Sequence, residues 1–368
     1  MEEKRLTLRE NLASLDRLQL FPALVLLFLG VVSIFSAGAG FAGRGGGFAA
    51  RQILWGCLSA AAFLTVLQIG YARLFSWAYR IYTFALVLLL GVIVLGLTVK
   101  GSQSWFHLGF FRFQPAEFGK IALILVLAKH FCRYPPMTLP SFLGGLALAG
   151  VSGWLVLLQP DAGSAMVYGA ITMVTIVVAG APWKYPAGLI GLMMAAVPLV
   201  WQFLKEYQKM RIRVFLDPWV DPLGAGYNVI QSRIAVGSGG LLGKGFMEGL
   251  QSKLRFLPEP HTDFIFSVYC EEFGFIGAIG MLLLFGLLFW RLIETAMRTK
   301  DSRAKVLIAG ISAWIWFQMA ESIGMSIGLL PVTGLPLPLV SYGGSSLLAL
   351  SIALALAQSV YISTLKTY

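Results

Sequence analysis

Apolar stretches of about 20 residues, parted by shorter polar segments, dominate this chain. The first runs from Leu18 to Ala39. Others follow at 52–70, 79–98, 116–131, 142–159, 164–181, 186–204, 264–291, 305–329 and 345–363. A helix of that length crosses a bilayer core and satisfies its own backbone hydrogen bonds in hydrocarbon. The pattern predicts an all-α polytopic membrane protein, a bundle of about ten transmembrane helices forming one domain over 1–368. Ala37-Gly-Ala39 imitates a signal-peptidase site, but the apolar run before it exceeds a usual signal core, so it stays as the first span.

The polar segments are short with one exception. Residues 205–262 read as a long polar loop between helices 7 and 8, carrying Arg211, Arg213, Arg233, Lys244, Lys253 and Arg255. Within it, Asp217-Pro-Trp-Val-Asp-Pro222 marks turns, and Tyr227 to Val236 fits a short interfacial helix. Gly237-Ser-Gly-Gly240 and Gly243-Lys-Gly245 offer backbone N–H groups to a phosphate. They are not a Walker loop, because Lys244 is followed by Gly245 and not by Ser or Thr. Residues 1–19 are basic and somewhat amphipathic, as in a cytoplasmic segment lying against anionic headgroups.

Composition agrees with the pattern: 58% of residues are hydrophobic and 12% charged, which leaves no water-soluble domain. The net charge of +11 has no nucleic-acid motif beside it, so nucleic acid is not an expected partner. With the N-terminus inside, inner segments hold fifteen Lys and Arg, from Lys4 to Lys366. The short outer segments and their edges hold only Arg44, Arg51, Lys100, Arg112 and Lys120. This bias predicts both termini in the cytoplasm and the long loop outside. Cys57, Cys132 and Cys270 share no pair or metal spacing and are expected in the core. His107, His130 and His261 are too scattered for a histidine metal site.

Ionisable groups and broken backbone at membrane depth mark candidate chemistry. In Gln114-Pro-Ala-Glu-Phe-Gly-Lys120, Pro115 suits a first helical turn, and Glu117 and Lys120 share a face. They form either a helix-start device with a local ion pair, or a cavity pair with Lys120 turned to phosphate. In Gln159-Pro-Asp-Ala-Gly163, Asp161 reads best as a helix cap. In Pro258-Glu-Pro-His-Thr-Asp-Phe264, Thr262 or Asp263 can cap the next helix, and an acid there sits at the positive helix end. Glu271 and Glu272 lie about 12 Å deeper and suit bonds to neighbouring helices. Pro331-Val-Thr-Gly-Leu-Pro-Leu-Pro338, with three prolines, is no regular helix. With Ser341-Tyr-Gly-Gly-Ser-Ser346 it either lines a sugar or phosphate pocket or makes a plain re-entrant turn.

Taken in order, these motifs resemble the shape, elongation, division and sporulation (SEDS) family. The matching pieces are Ser104-Trp105, Gln114-Pro-Ala-Glu117 with Lys120, Leu158-Gln-Pro-Asp161, Tyr227-Asn228, Gln231-Ser232, Ala235-Val-Gly-Ser-Gly-Gly240, Pro258 to Phe264, and Ser341 to Ser346. Pro331-Val-Thr-Gly334 is similar to the elongation branch; the division branch usually has Lys where Thr333 stands. Ser322 departs from the Asn common there.

The resemblance implies a peptidoglycan glycosyltransferase of the bacterial inner membrane, polymerising lipid II during cell elongation and rod-shape maintenance. It aligns Asp263 with the family's essential aspartate, and Glu117 and Lys120 with its cavity pair. Asp263 is expected as general base toward the acceptor hydroxyl, with inversion at the donor carbon. Arg211, Arg213, Lys244, His261, Ser341 and Ser345 are candidate substrate contacts. No metal site is fixed; Mg²⁺ or another divalent cation is a candidate aid to the leaving diphosphate. A class B penicillin-binding protein, other elongation-complex proteins and membrane lipids are the expected partners. Two other readings stay open: a lipid II flippase, although no inverted repeat is evident, and a scaffold without catalysis.

Overall fold

The computed structural model describes residues 8–39, 45–99, 102–109, 111–203 and 206–365. A short α1 (Leu8–Ala13) precedes α2 (Arg17–Ala39) and α3 (Gly45–Ile69). The one-and-a-half-turn α4 (Tyr71–Ser76) leads into α5 (Ala78–Leu95). Three strands follow, β1 (Leu97–Val99), β2 (Ser102–Leu108) and β3 (Phe111–Phe113), paired antiparallel in that order. Then come α6 (Pro115–Arg133), α7 (Leu139–Leu158), α8 (Ala162–Val178) and α9 (Lys184–Phe203). α10 (Glu206–Leu216), a 3-10 turn, α11 (Ala225–Ser238) and α12 (Leu250–Lys253) fill the next segment. The chain closes with α13 (Ile265–Arg298), α14 (Ser302–Ile327) and α15 (Gly344–Leu365).

Long helices occupy all ten predicted apolar stretches. Seven, namely α2, α3, α5, α7, α13, α14 and α15, are long and apolar enough to cross a membrane. α8 and the apolar part of α9 are shorter, and α6 carries Glu117, Lys120, Lys129 and Arg133. The outside of the bundle is apolar: Phe28, Phe84, Trp154, Met194 and Leu283 are all exposed. Such a surface suits lipid, not water. The interior belongs to α6 and α15. Ile121 to Ala128 of α6 is buried on every side, as a helix apolar all round must be.

The bundle has two distinct ends. At one, Arg291 of α13 meets Asp16 at 2.8 Å, and Gln358 of α15 exchanges hydrogen bonds with the Asp16 backbone at 2.9 and 3.1 Å. There too, the Tyr71 hydroxyl donates to Asp301 at 3.1 Å. At the other end, Ser102 donates to the Gln159 carbonyl at 2.7 Å and Ser345 to the Arg112 carbonyl at 3.1 Å. Every piece of the candidate site belongs to this second end or lies just beneath it.

Several expectations need correction. The 205–262 segment is largely helical, not a plain polar loop. Tyr227 to Val236 is helical, within α11, and is docked on the bundle through one face. Ser232 is buried, 2.6 Å from both the Ser267 hydroxyl and the Ser326 carbonyl. Neither Thr262 nor Asp263 stands at the cap position of α13: the helix starts at Ile265, with Phe264 at that position. Cys57 and Cys132 are exposed and only Cys270 is buried, because the first two lie on outward faces of their helices. The β1–β3 meander was not anticipated. Residues 1–7 with Lys4 and Arg5, and Arg44, Lys100 and Lys366 from the charge count, lie outside the described residues.

The glycine-rich loop also differs from the phosphate cradle expected of it. α13 breaks at Gly274, where φ is 63°. The loop supplies the missing hydrogen bonds: the N–H groups of Lys244 and Gly245 donate to the Glu271 and Glu272 carbonyls at 3.0 and 3.1 Å. In return Phe275 donates to the Gly240 carbonyl at 2.9 Å. A side-chain carbon at Gly274 would stand 2.3 Å from the Gly243 nitrogen, so both the dihedral and the contact demand glycine. The N–H groups of Lys244 and Gly245 thus mend a helix kink.

Candidate active site

α6 opens as its residues dictate. Pro115 holds the first helical position, where a missing N–H costs nothing, and Glu117 stands in the first turn. Glu117 and Lys120 are 1% and 0% exposed, and the Lys120 ammonium lies 2.6 Å from Glu117 Oε1. It also donates to Gln318 Oε1 at 3.3 Å and stands 5.2 Å from the Trp314 ring centre. Acid, amide oxygen and ring face together offset the cost of burying the cation. Gln318 accepts from Trp314 Nε1 at 2.7 Å and donates to the Pro336 carbonyl at 2.8 Å. The buried pair is therefore joined, through one side chain of α14, to the proline-rich segment.

That segment, 328–343, has no regular helix, as its prolines require. Its Gly334 is exposed, with φ at 79°, and a side-chain carbon there would lie 3.7 Å from Asp263 Oδ2. Asp263 is itself half-buried. The two stretches are stitched together. The Ser341 hydroxyl donates to the Thr262 carbonyl at 2.7 Å and accepts from the Leu337 N–H at 2.8 Å. Tyr342 N–H donates to the His261 carbonyl at 2.9 Å, and the His261 ring stacks on Phe48 at 4.4 Å. Glu259 and Arg255 adopt positive φ in the turn ahead of Asp263, a strained backbone of the kind found where side chains are held for use.

The structure thus brings Asp263, His261 and Ser341 to one seam and links Glu117 and Lys120 to it from beneath. Arg211, on exposed α10, lines a crevice with Leu330, Pro331 and Val332, next to Thr333 and Gly334. Arg213 is exposed on the same helix. Ser345 joins the neighbouring meander, accepting from the Gln114 N–H at 3.2 Å. Lys244 lies elsewhere, paired at 2.7 Å with Glu271, which also accepts from the N–H of Leu250 at 2.9 Å. Glu272 accepts from Ser36 of α2. Glu272 therefore bonds a neighbouring helix, as expected, while Glu271 bonds the glycine-rich loop and the start of α12. Asp161 caps α8, accepting from the Ser164 N–H at 2.9 Å. Among the described residues no group of three or more His, Cys, Asp or Glu is arranged to hold a metal.

Gln318 and Glu321 were missed by reading the sequence. Glu321 is buried in α14 and accepts from the Thr333 hydroxyl. A signal existed, since an acid and an amide three residues apart in an apolar span is unusual.

A lipid-facing bundle with an acid–base pair in its interior and a half-buried carboxylate at one end defines a multi-pass membrane protein with an end-facing site. The chain belongs to the FtsW, RodA and SpoVE family of cell cycle proteins, whose family model matches residues 16–365. The SEDS resemblance therefore holds over almost the whole chain. It is 37% identical over 350 residues to the peptidoglycan glycosyltransferase MrdB of Escherichia coli K12, covering 94% of each. It is 38% identical over 357 residues to stage V sporulation protein E of Bacillus subtilis, covering 94% of this chain and 96% of that one. Among solved structures, RodA of Thermus thermophilus matches with a TM-score of 0.72 at 31% identity, over 94% of this chain and 96% of that one. A chain of a peptidoglycan synthase complex that coordinates polymerization and crosslinking matches with a TM-score of 0.83 at 33% identity, over 95% and 98%.

Proposed function

We propose that this protein is a peptidoglycan glycosyltransferase that polymerises lipid II, with Asp263 as its general base. The observation that carries the reading is the setting of Asp263. It is half-buried just ahead of α13, its Oδ2 faces an exposed glycine, and the turn before it is strained. In the reaction, the acceptor sugar's 4-hydroxyl oxygen bonds to the donor's anomeric carbon as the bond from that carbon to the diphosphate breaks. The diphosphate leaves with the electron pair, and the hydroxyl proton passes to Asp263. A carboxylate accepts it as it is released in the transition state. Arg211, beside Thr333 and Gly334, is placed to meet the departing negative charge. Lys120 contributes from beneath through the Gln318 to Pro336 link.

The bias of Lys and Arg assigns the Asp16–Arg291 end to the cytoplasm. Asp263 then lies at the outer face, where glycan strands are made. A class B penicillin-binding protein is the partner this reading assigns, supplying cross-linking next to the growing strand. Purified protein incubated with lipid II should yield glycan chains, and Asp263→Ala should cut the yield by at least about 100-fold. Translocation of lipid II in liposomes without chain growth would overturn the reading.

A further inference from the structure

Glu271 of α13 is 0% exposed, and a carboxylate buried that deeply is costly unless it is paired and well bonded. Its Oε1 accepts from Lys244 Nζ at 2.7 Å, from the Leu250 N–H at 2.9 Å and from the Gln251 N–H at 3.2 Å; its Oε2 shares the Gln251 N–H at 3.2 Å. All of these donors belong to the stretch that runs from the glycine-rich loop through α12 to Asp263. The Gln251 carbonyl passes the hold on, accepting from the N–H groups of Phe256 and Leu257 at 3.1 and 3.3 Å. Leu257 is fully buried and anchors the turn that follows. In that turn the Glu259 carbonyl accepts from the N–H groups of Thr262 and Phe264, the two neighbours of Asp263, at 3.3 and 3.4 Å. Asp263 is therefore reached from two sides. The proline-rich segment holds His261 and Thr262 through Tyr342 and Ser341, and Glu271 holds the path through 250–259. Arg255 and Glu259, at φ of 58° and 48°, lie on that path, and such backbone persists only where its surroundings over-determine it.

We propose that Glu271 is a positioning residue for sugar transfer: its carboxylate anchors residues 250–259 and through them sets where Asp263 meets the acceptor hydroxyl. This rests on Asp263 being the base. A general base works only within about 2.6–3.2 Å of the proton it takes. A displacement of about 1 Å, begun far from the chemistry, can cost about 100-fold in rate. α13 alone does not fix Asp263, which lies two residues ahead of the helix. Lys244 supplies the charge that makes the buried carboxylate tolerable, and the two N–H groups of α12 give its hold a direction.

The test is lipid II polymerisation, measured over a range of lipid II concentrations and per folded protein, by the parent, Glu271→Ala, Glu271→Gln, Leu250→Pro, Asp263→Ala and the double variant Glu271→Ala with Asp263→Ala. Glu271→Ala releases α12, so kcat should fall about 10- to 100-fold with KM unchanged. Glu271→Gln keeps an oxygen for the α12 N–H groups and should recover part of that loss. Leu250→Pro removes one donor at an exposed first helical position, which accepts proline, and leaves Glu271 and Lys244 in place. It should lower kcat about 10-fold at the parental KM, and it serves if Glu271→Ala does not fold. Because Glu271 acts through Asp263, the double variant should be no slower than Asp263→Ala alone. The proposal is overturned by parental kcat in folded Glu271→Ala or Leu250→Pro, by a change confined to KM, by Glu271→Gln no faster than Glu271→Ala, or by a loss that repeats in full in the double variant. Full activity of Asp263→Ala would instead overturn the base assignment beneath it.

Discussion

Lys120 shows how a charge survives inside a lipid-facing bundle: Glu117 lies at 2.6 Å and Gln318 adds an amide oxygen at 3.3 Å. Removing one member of a buried pair strands the other. Glu117→Gln and Lys120→Met should each destabilise the protein by about 3 kcal/mol. The double substitution should cost clearly less than the sum, because it strands nothing. Thermal unfolding in detergent measures this, and strict additivity would show that the two groups do not compensate each other. The pair was legible from its three-residue spacing. Its ties to Trp314 and Gln318 were not, because they cross from α6 to α14. Asp263 stood out in the sequence as an acid at a helix start, but the exact start was not legible: α13 begins two residues later, at Ile265. Glu321 escaped notice because its bond from Thr333 depends on how the 328–343 segment folds back.

α13 shows what an element owes to its surroundings. Its apolar run predicted a continuous helix; the break at Gly274 depends on a loop 30 residues earlier inserting its own hydrogen bonds. Gly274→Ala meets both a positive φ and the Gly243 nitrogen, and should cost at least about 1–3 kcal/mol. A melting temperature unchanged from the parent would mean that the kink relaxes freely. α14 is started by Asp301, which accepts from the Arg303 N–H at 2.9 Å. Burial alone would raise the Asp301 carboxyl, but the bonds and charge of Arg303 outweigh it and hold the group below its ordinary 3.8. A depressed acid stabilises the fold above its unfolded value and ceases to as pH falls through the lowered one. Asp301→Ala should therefore cost about 1 kcal/mol at neutral pH, a gap that shrinks as the pH falls below 3.8. A gap constant with pH would contradict the pairing. α10 and β1–β3 stayed hidden because no strong apolar period marks them. α10 is polar on most of its surface, and the strands are three to seven residues long.

Across the whole molecule, the apolar pattern revealed the bundle because lipid imposes one rule on every span: backbone bonds inside, apolar side chains outside. It did not reveal which helices are central. That is decided by contact, and it places α6 and α15, with the Glu117–Lys120 pair, in the interior. The two ends carry different work. Asp16, Arg291 and Gln358 tie one end shut, while at the other the proline-rich segment is stitched to the stretch that carries Asp263. In the proposed reaction, polymerisation at that end depends on one proton acceptor. The most direct measurement is glycan chain formation from lipid II by purified Asp263→Asn, which keeps the side chain's shape and removes its basicity. A folded variant with at least about 100-fold lower turnover is the predicted result. Chain formation at the parental rate would contradict the assignment of Asp263 as the base.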